Sequence, residues 1–515
     1  MYLTQPLHKA RRECPQGIFS IHGDRRQSNE TFVSRVELLA GGLRGLGLVP
    51  GARVGMLAHN SDRFLEYIYA TLWAGGVLNP VNTRWSAREI AYSLDDSDTQ
   101  ILIVDDSFAP MVETLRALCN VPLTIIRLDK TPVAEAVDYE TLIAETQPLA
   151  DEIRQGTDLA AILYTGGTTG APKGVMLSHG NLVADALALT AAADHGKDAP
   201  GLHIAPLFHV GGLAAVWQFA LRRAPQVTTS HYDPGEALRL IEREAIGDIF
   251  VVPVMLRWLV DHPDIATRDL SSLRSIRYGA APMDITLLRR AMDVFPQAGF
   301  LQVYGQTECA PVVTTLAPQD HVADPDAAQM RSAGRPISTA EIKIVNETGK
   351  EVAQGMVGEI VVRGPTVMLG YWNKPEETQA ALKDGWMHTG DAGRFDENGF
   401  LYVVDRVKDM IISGGENVYS IEVENVLSKY PGVSLCAVIG VPDAEWGERV
   451  HAAILPNEGV LLSPEVLDAH CRSQIAGYKV PRSYEFVSEM PLSAAGKIVK
   501  KDLRAQYLAA IKQDA

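Results

Sequence analysis

Between residues 52 and 164 the chain alternates short apolar runs with stretches of helical periodicity, and this alternation narrows the folds open to it more than any other feature. Residues 52–58, 78–82, 101–104 and 159–164 read as strands, and 63–74 and 87–95 as helices. Strands separated by helices imply a mainly parallel sheet with helices on both faces. From residue 341 the texture changes. Residues 341–345, 358–362 and 400–404 are short strands separated by Gly and Asn turns, which predicts a small antiparallel barrel or sheet. Beyond Asp405 an α+β texture follows, with helices at 421–429 and 464–476 and a strand at 435–439. The change places a domain boundary at 405–408. There is no internal repeat and no Pro/Ser-rich linker.

Composition bounds the class. At about 150 residues per domain, 515 residues make roughly three domains or subdomains. A chain that is 46% hydrophobic and 21% charged is globular rather than disordered. With 47 Lys+Arg against 63 Asp+Glu the formal charge is −16, which argues against sequence-independent nucleic-acid binding and against an anionic membrane surface. The cysteines, Cys14, Cys119, Cys309, Cys436 and Cys471, are odd in number and form no CxxC pair. Neither a disulfide framework nor a zinc knuckle is expected, and a reducing cytoplasm fits. The first residues lack the apolar core of a secretory signal, and the last four match no common address tag. No apolar run reaches the ~18 residues of a membrane span; the nearest, 249–260, is interrupted by Arg257. The expectation is a cytoplasmic protein without an integral membrane segment. A homodimer is compatible with the sequence, which does not decide the oligomeric state.

The strongest chemical signal follows the strand at 159–164. Tyr164-Thr165-Gly166-Gly167-Thr168-Thr169-Gly170-Ala171-Pro172-Lys173-Gly174 lets successive backbone N–H groups turn inward as an anion-binding nest. Threonine hydroxyls add donors and Lys173 adds a point charge. It is not a Walker A loop, because Pro172 precedes the lysine and Gly174 follows it. Taken alone, such a loop says only that the chain binds phosphate.

This loop resembles the phosphate loop of the adenylate-forming superfamily, which includes acyl-CoA synthetases, luciferases and peptide-synthetase adenylation domains. The family form is Tyr-Thr-Ser-Gly-Thr-Thr-Gly-x-Pro-Lys-Gly, and this chain departs from it at Gly166-Gly167 by one hydroxyl. The resemblance extends over residues 31–503 and implies an α/β fold. A large N-terminal domain, 1–404, would hold two mainly parallel α/β subdomains and a small β-barrel. A mobile, smaller α+β C-terminal domain, 405–515, would swing on a hinge near 408. Pro206-Leu207-Phe208-His209 is similar to the segment bordering the carboxylate pocket, and Tyr278-Gly279-Ala280-Ala281-Pro282 to the small-residue turn beneath adenine. Tyr304-Gly305-Gln306-Thr307-Glu308 resembles the most specific family motif. It implies Tyr304 and Gly305 against the adenine, Thr307 on the α-phosphate and Glu308 on Mg²⁺, with Thr168 as a second metal contact. Gln302, where many members have Asn, would reach the adenine amino group. Asp391, in Trp386-Met387-His388-Thr389-Gly390-Asp391, would accept hydrogen bonds from the ribose hydroxyls, with Arg406 beside it on ribose or phosphate. Gly370-Tyr371-Trp372-Asn373 also matches the family and is read as packing. Lys408 falls at the family hinge. Gly414 and Gly415, in Ser413-Gly414-Gly415-Glu416-Asn417, fall where a backbone approaches the pantetheine arm of coenzyme A. Pro491-Leu492-Ser493-Ala494-Ala495-Gly496-Lys497 resembles the loop bearing the catalytic lysine. Lys500, Lys501 and Arg504 are read as a solvated helix face.

The resemblance implies a ligase that uses ATP, Mg²⁺ and coenzyme A, with Lys497, Glu308, Thr307 and His209 as its catalytic set. Thr165, Gly166, Gly167, Thr168, Thr169, Gly170 and Lys173 would hold the phosphates. His209, Val210, Gly211, Gly279, Gly305, Cys309 and Ala310 are the candidate acid-pocket walls. Members restricted to acetate and propionate carry an indole where Gly305 stands, so a larger acid is expected. The walls are small or apolar and offer no counter-charge for a second carboxylate or an amino group. The expected substrate is a medium- to long-chain fatty acid or an aryl acid, with the aliphatic placed slightly ahead. Coenzyme A is preferred as acceptor because no carrier domain follows Lys497. A stand-alone enzyme loading a carrier protein is the alternative. A non-catalytic ATP or carboxylate sensor is more distant, since binding alone would not require the lysine.

Overall fold

The computed structural model of the chain describes residues 1–165, 172–192, 198–322, 324, 327–406, 409–413, 416–443, 445–492 and 498–514. Its strands form four sheets, distributed over a large N-terminal and a smaller C-terminal domain.

The alternating segment builds an eight-stranded sheet. In spatial order its strands are Gly370–Tyr371, Lys173–Ser178, Leu159–Thr165, Val77–Pro80, Arg53–Leu57, Thr99–Val104, Thr124–Arg127 and Val137–Asp138. From Leu159–Thr165 outward to Val137–Asp138 every pairing is parallel; the two strands on the other side are antiparallel. The predicted strands and helices lie within a residue or two of the observed ones. Serine caps explain the helix starts. Ser61 Oγ accepts from Phe64 N–H, and Ser86 forms a reciprocal capping box with Glu89, each worth about 1 kcal/mol.

The second sheet has nine strands, in the order Arg335–Pro336, Val312–Leu316, Gly299–Gly305, Ser275–Gly279, Asp248–Val251, Gly201–His203, Gln226–Thr228, Ile18–His22 and Arg25–Ser28. The N-terminal hairpin Ile18–Ser28 thus joins the second sheet, beside residues more than two hundred positions away. A buried polar cluster ties this edge to the first sheet. Arg35 bridges Glu66 at 2.7 Å, and Glu66 also accepts from Gln27 and Tyr139. Glu66 has no solvent contact, so pairing is what makes its charge tolerable there.

The third sheet is antiparallel, as expected. Glu341–Val345 pairs with Gly358–Arg363, which pairs with Trp386–Phe395, and the last carries both Leu382–Lys383 and Leu401–Arg406. Among the described residues Glu341–Val345 and Leu401–Arg406 are not hydrogen-bonded to each other, so the barrel expectation resolves to an open sheet. Its inner residues Ile360, Val362, Met387 and Leu401 share one core with Trp73 and Tyr67 of the helix Asp62–Trp73 and Leu177 of the first sheet.

The fourth sheet lies beyond residue 410, and both its faces are covered. Val438, Val450 and Ile454 pack with Val423, Leu427 and Leu467 of the helices Ser420–Leu427 and Pro464–Arg472. The intervening Ala437, Ile439 and Ala453 pack with Leu503 of the helix Lys500–Asp514. This is the alternation that a strand of period two imposes. The helix expected at 464–476 stops at Arg472, and the chain leaves it through a tighter turn in which Gln474 N–H bonds the Cys471 carbonyl three residues back. Among the described residues no helix is long and apolar enough to cross a membrane.

Candidate active site

The strand Leu159–Thr165 and the strand Lys173–Ser178 are antiparallel neighbours, with Thr165 opposite Lys173. The ends of the glycine-rich loop therefore face each other at one rim of the first sheet. Gly166, Gly167, Thr168, Thr169 and Gly170 lie outside the described residues, as do Lys408, Gly414, Gly415 and Lys497. The loop's base is held by Tyr164, whose hydroxyl donates to Asp96 at 2.6 Å. Lys173 places its ammonium 5.0 Å from the ring centre of Tyr371, a cation–π contact.

Tyr371 is the functional candidate that sequence reading assigned to packing. Its hydroxyl donates to Glu308 Oε1 at 2.9 Å. It therefore joins the loop lysine to the carboxylate expected to hold Mg²⁺. Glu308 is fixed a second time, through its own carbonyl, which accepts from Met368 N–H at 2.9 Å. The single signal available in the sequence was the family match at Gly370-Tyr371; nothing local pairs it with a residue 63 positions away.

Tyr304, Asp391 and Arg406 meet across two sheets. Tyr304 ends the strand Gly299–Gly305 and donates to Asp391 Oδ2 at 2.7 Å. Arg406 stands opposite Asp391 in the antiparallel ladder and holds Oδ1 at 2.7 Å. Asp391 is 6% exposed. Burial, then the Asp391 charge, pushes the Tyr304 phenol well above its ordinary value. Burial alone would pull Arg406 down, but Asp391, Tyr304 and Glu308 together raise it. Each carboxylate oxygen retains a second lone pair, so Asp391 can still accept from a ribose. Gln302 stands one strand position before Val303, with its Oε1 buried and without a hydrogen-bond partner among the described residues. An orphaned buried amide oxygen is a good acceptor for an exocyclic amine.

Glycines shape the floor for a reason the sequence did not reveal. A Cβ on Gly279 would lie 2.1 Å from the Val303 carbonyl, and one on Gly305 would lie 1.9 Å from the Pro311 carbonyl. Both glycines are required by strands approaching closely, before any ligand is considered. Ala280 then turns with φ of +64°. The absence of a side chain at Gly305 is thus set by the Pro311 carbonyl.

The acid-pocket candidates divide. His209 precedes the helix Val210–Arg222, caps nothing with its ring, and packs against Phe208 at 4.5 Å between centroids. Gly211 faces Phe250, whose ring would stand 3.2 Å from a Cβ there. Phe250 was not among the candidate walls and belongs with them. Cys309 and Ala310, by contrast, are both 0% exposed and pack into the core with Val313 and Ala333. Burial drives the Cys309 thiol far above its ordinary value.

Among the described residues no three His, Cys, Asp or Glu side chains cluster as a metal cage. Glu308 alone suits Mg²⁺, which takes one or two carboxylates and completes its shell with phosphate oxygens and water.

Comparison with known proteins identifies the family. The model of the AMP-binding enzyme family matches residues 7–372, and that of the AMP-binding enzyme C-terminal domain matches residues 422–497. A feruloyl-CoA synthase of an Amycolatopsis species is 40% identical, over 98% of each chain. A fatty acid–[acyl-carrier-protein] ligase of Streptomyces coeruleorubidus is 37% identical, covering 91% of this chain and 89% of that one. Among solved structures, ATP-bound MatB from Rhodopseudomonas palustris superimposes with a TM-score of 0.89 at 30% identity, over 98% of this chain and 99% of that one.

Proposed function

The chain belongs to the AMP-binding enzyme family, and we propose that within it the chain is an ATP-dependent acid–thiol ligase that makes an acyl-CoA through an acyl-adenylate. The observation that carries this reading is the Tyr304–Asp391–Arg406 constellation beside Glu308, Tyr371 and Lys173.

In the first half-reaction a carboxylate oxygen attacks the α-phosphorus of ATP, the bond to the bridging oxygen breaks, and pyrophosphate leaves. Both reactants are anions, so the site must cancel their repulsion. Tyr304 and Gln302 orient the base, and Asp391 with Arg406 holds the ribose. Thr307 donates to the α-phosphate, and Thr165 and Lys173 stand at the ends of the loop that receives the other phosphates. Glu308 would hold Mg²⁺, which would supply Lewis-acid neutralisation of phosphate charge. Lys497 bridges the carboxylate and the α-phosphate, aligning them for in-line attack. In the second half-reaction the thiol sulfur bonds to the acyl carbon, its proton is released, and AMP departs with the electrons of the broken C–O bond. For this step the C-terminal domain turns about Lys408 against the large domain. The turn withdraws Lys497 and brings Gly414 and Gly415 to the thiol channel.

The pocket bordered by His209, Val210, Gly211 and Phe250 takes an acid with a large apolar body. The 40%-identical relative named for feruloyl-CoA turns the first test toward aryl acids, ahead of the aliphatic chains placed slightly ahead from the candidate pocket walls. The carrier-protein ligase among the relatives sustains a second reading, in which the acceptor is a protein-borne pantetheine. Cytoplasmic location and a homodimer complete the proposal.

The test is AMP release from the purified protein with ATP, Mg²⁺ and a panel of acids: ferulate, cinnamate, benzoate, and saturated acids of graded length. Release that depends on free coenzyme A supports the ligase reading. Release only with a pantetheinylated carrier protein moves the assignment to the second reading. No acid-dependent ATP–pyrophosphate exchange with any member of the panel overturns both.

A further inference from the structure

The segment bearing Lys497 lies outside the described residues, but its neck is described. Leu492 and Ile498 form an antiparallel bridge, and Val499 N–H donates to the Pro491 carbonyl at 2.8 Å. The helix Lys500–Asp514 starts at the next residue. The Lys500 side chain, expected in solvent, turns inward instead. Its ammonium pairs with Glu424 Oε1 at 2.8 Å and also donates to Ser420 Oγ. Ser420 then donates through both its hydroxyl, at 2.7 Å, and its backbone N–H to Asp405 Oδ2. Asp405 Oδ1 accepts the backbone N–H of Arg406 at 2.7 Å, and Arg406 grips Asp391. Glu424 is itself fixed by Val438 N–H at 2.7 Å. Ser420 is 0% and Asp405 2% exposed. A continuous path of hydrogen bonds therefore runs from the neck of the Lys497 loop to the nucleotide constellation.

We infer that Lys500 is a positioning residue, which through Ser420 and Asp405 sets the Lys497 loop in register with the strand that carries Arg406. The inference rests on the proposed role of Lys497 and deepens it. The reason is mechanical. Lys497 sits on a long flexible stem, and a cation contributes to the adenylation transition state only if its stem starts from a fixed point. The bridge at Leu492–Ile498 closes the loop on itself but does not orient it toward anything. Lys500, three residues after Lys497, ties this neck to Ser420, which in turn holds Asp405 on the strand Leu401–Arg406. Burial opposes its charge, and Glu424 with Asp405 outweighs that opposition, so Lys500 remains a cation at neutral pH. The Lys500–Glu424 pair is internal to the C-terminal domain, whereas the Ser420–Asp405 contact spans the hinge expected near 408, since Asp405 lies on the third-sheet strand Leu401–Arg406. The second contact therefore belongs to one arrangement of the two domains.

The test uses the full-length chain with ferulate and decanoate as probe acids. The variants are Lys500→Met, Lys500→Arg, the double variant Lys500→Met/Glu424→Gln, and Lys497→Ala in parallel. The double variant removes the charge without leaving a buried carboxylate unpaired, so it keeps the question open if Lys500→Met does not fold. ATP–pyrophosphate exchange, conversion of supplied acyl-adenylate to acyl-CoA, and thermal unfolding are measured. In the double variant the exchange kcat is expected to fall about tenfold or more, with KM for ATP and the thioester step within about twofold of wild type. Lys500→Arg restores part of the exchange. Wild-type exchange in the double variant, or a parallel fall in both half-reactions, overturns the inference. If Lys497→Ala keeps full exchange, the reading beneath it fails as well; if only Lys497→Ala loses exchange, Lys500 alone is misassigned.

Discussion

The two halves of this site are built differently. In the large domain several of the described recognition groups are clamped by a neighbour distant in sequence: Tyr304 and Arg406 on Asp391, Tyr371 on Glu308, and Gly279 under the Val303 carbonyl. In the C-terminal domain the fixed points are Lys500, Ser420 and the bridge Leu492–Ile498, all at the base of the loop that bears Lys497. The first arrangement suits binding, where preorganised groups cost little when the ligand arrives. The second suits delivery, where one cation must be brought in for one step and withdrawn for the next.

The comparison breaks most visibly at Lys497. Lys497→Ala should lower acid-dependent ATP–pyrophosphate exchange by about 10²- to 10³-fold, the cost of removing one preorganised charge contact from a transition state. Supplied acyl-adenylate should still be converted to thioester; equal loss of both half-reactions would mean that the lysine is not a one-step group. Asp391→Asn should act on the clamped half instead. Removing a charge shared by Arg406 and Tyr304 costs about 2 kcal/mol, or roughly 30-fold in kcat/KM for ATP. It should show in KM rather than kcat, and initial rates at varied ATP decide it.

Acid separates the domains a second way. Burial holds His179, His203 and His451 down to about 4, whereas an unfolded histidine titrates near 6.5. Between those values the unfolded chain binds the extra protons, so stability falls as pH drops. From pH 7 to pH 5 each histidine withdraws about 2 kcal/mol. Two of the three lie in the large domain. Hydrogen exchange at the two pH values should therefore accelerate more in 179–228 than in 433–456, and the reverse order would contradict the assignment. The smallest effect is expected at Tyr371→Phe. Losing one hydrogen bond to Glu308, worth about 1 kcal/mol, should raise the Mg²⁺ concentration for half-maximal exchange about fivefold. Manganese binding followed by electron paramagnetic resonance, in the presence of ATP, gives the same comparison without turnover. Unchanged metal affinity would return Tyr371 to packing.

Much of the architecture was legible from residue order. Strands and helices from 52 to 164, the antiparallel turn of texture after 341, and the α+β tail each follow from a periodicity of 2 or 3.6, which is a local property. The site was legible wherever a motif is contiguous, as in Tyr304 to Glu308. It was illegible where the cause lies across space. Gly279 reads as room for a base and is in fact required by a neighbouring carbonyl. Cys309 and Ala310 read as pocket wall and are fully buried, in one core with Val313 and Ala333. Phe250 carries no motif at all.

What the sequence by itself determined is therefore the set of elements, their order, and which short segments bear phosphate, metal and lysine chemistry; these depend on residues a few positions apart. Only the tertiary structure decided that Ile18–His22 pairs with Gln226–Thr228, that Tyr371 reaches Glu308, and that Lys500 is buried on Ser420. The physical reason is that strand pairing and buried charge pairing are chosen by what else must be covered. Hydrophobic and ionic partners select each other in the folded chain at separations that no periodicity encodes.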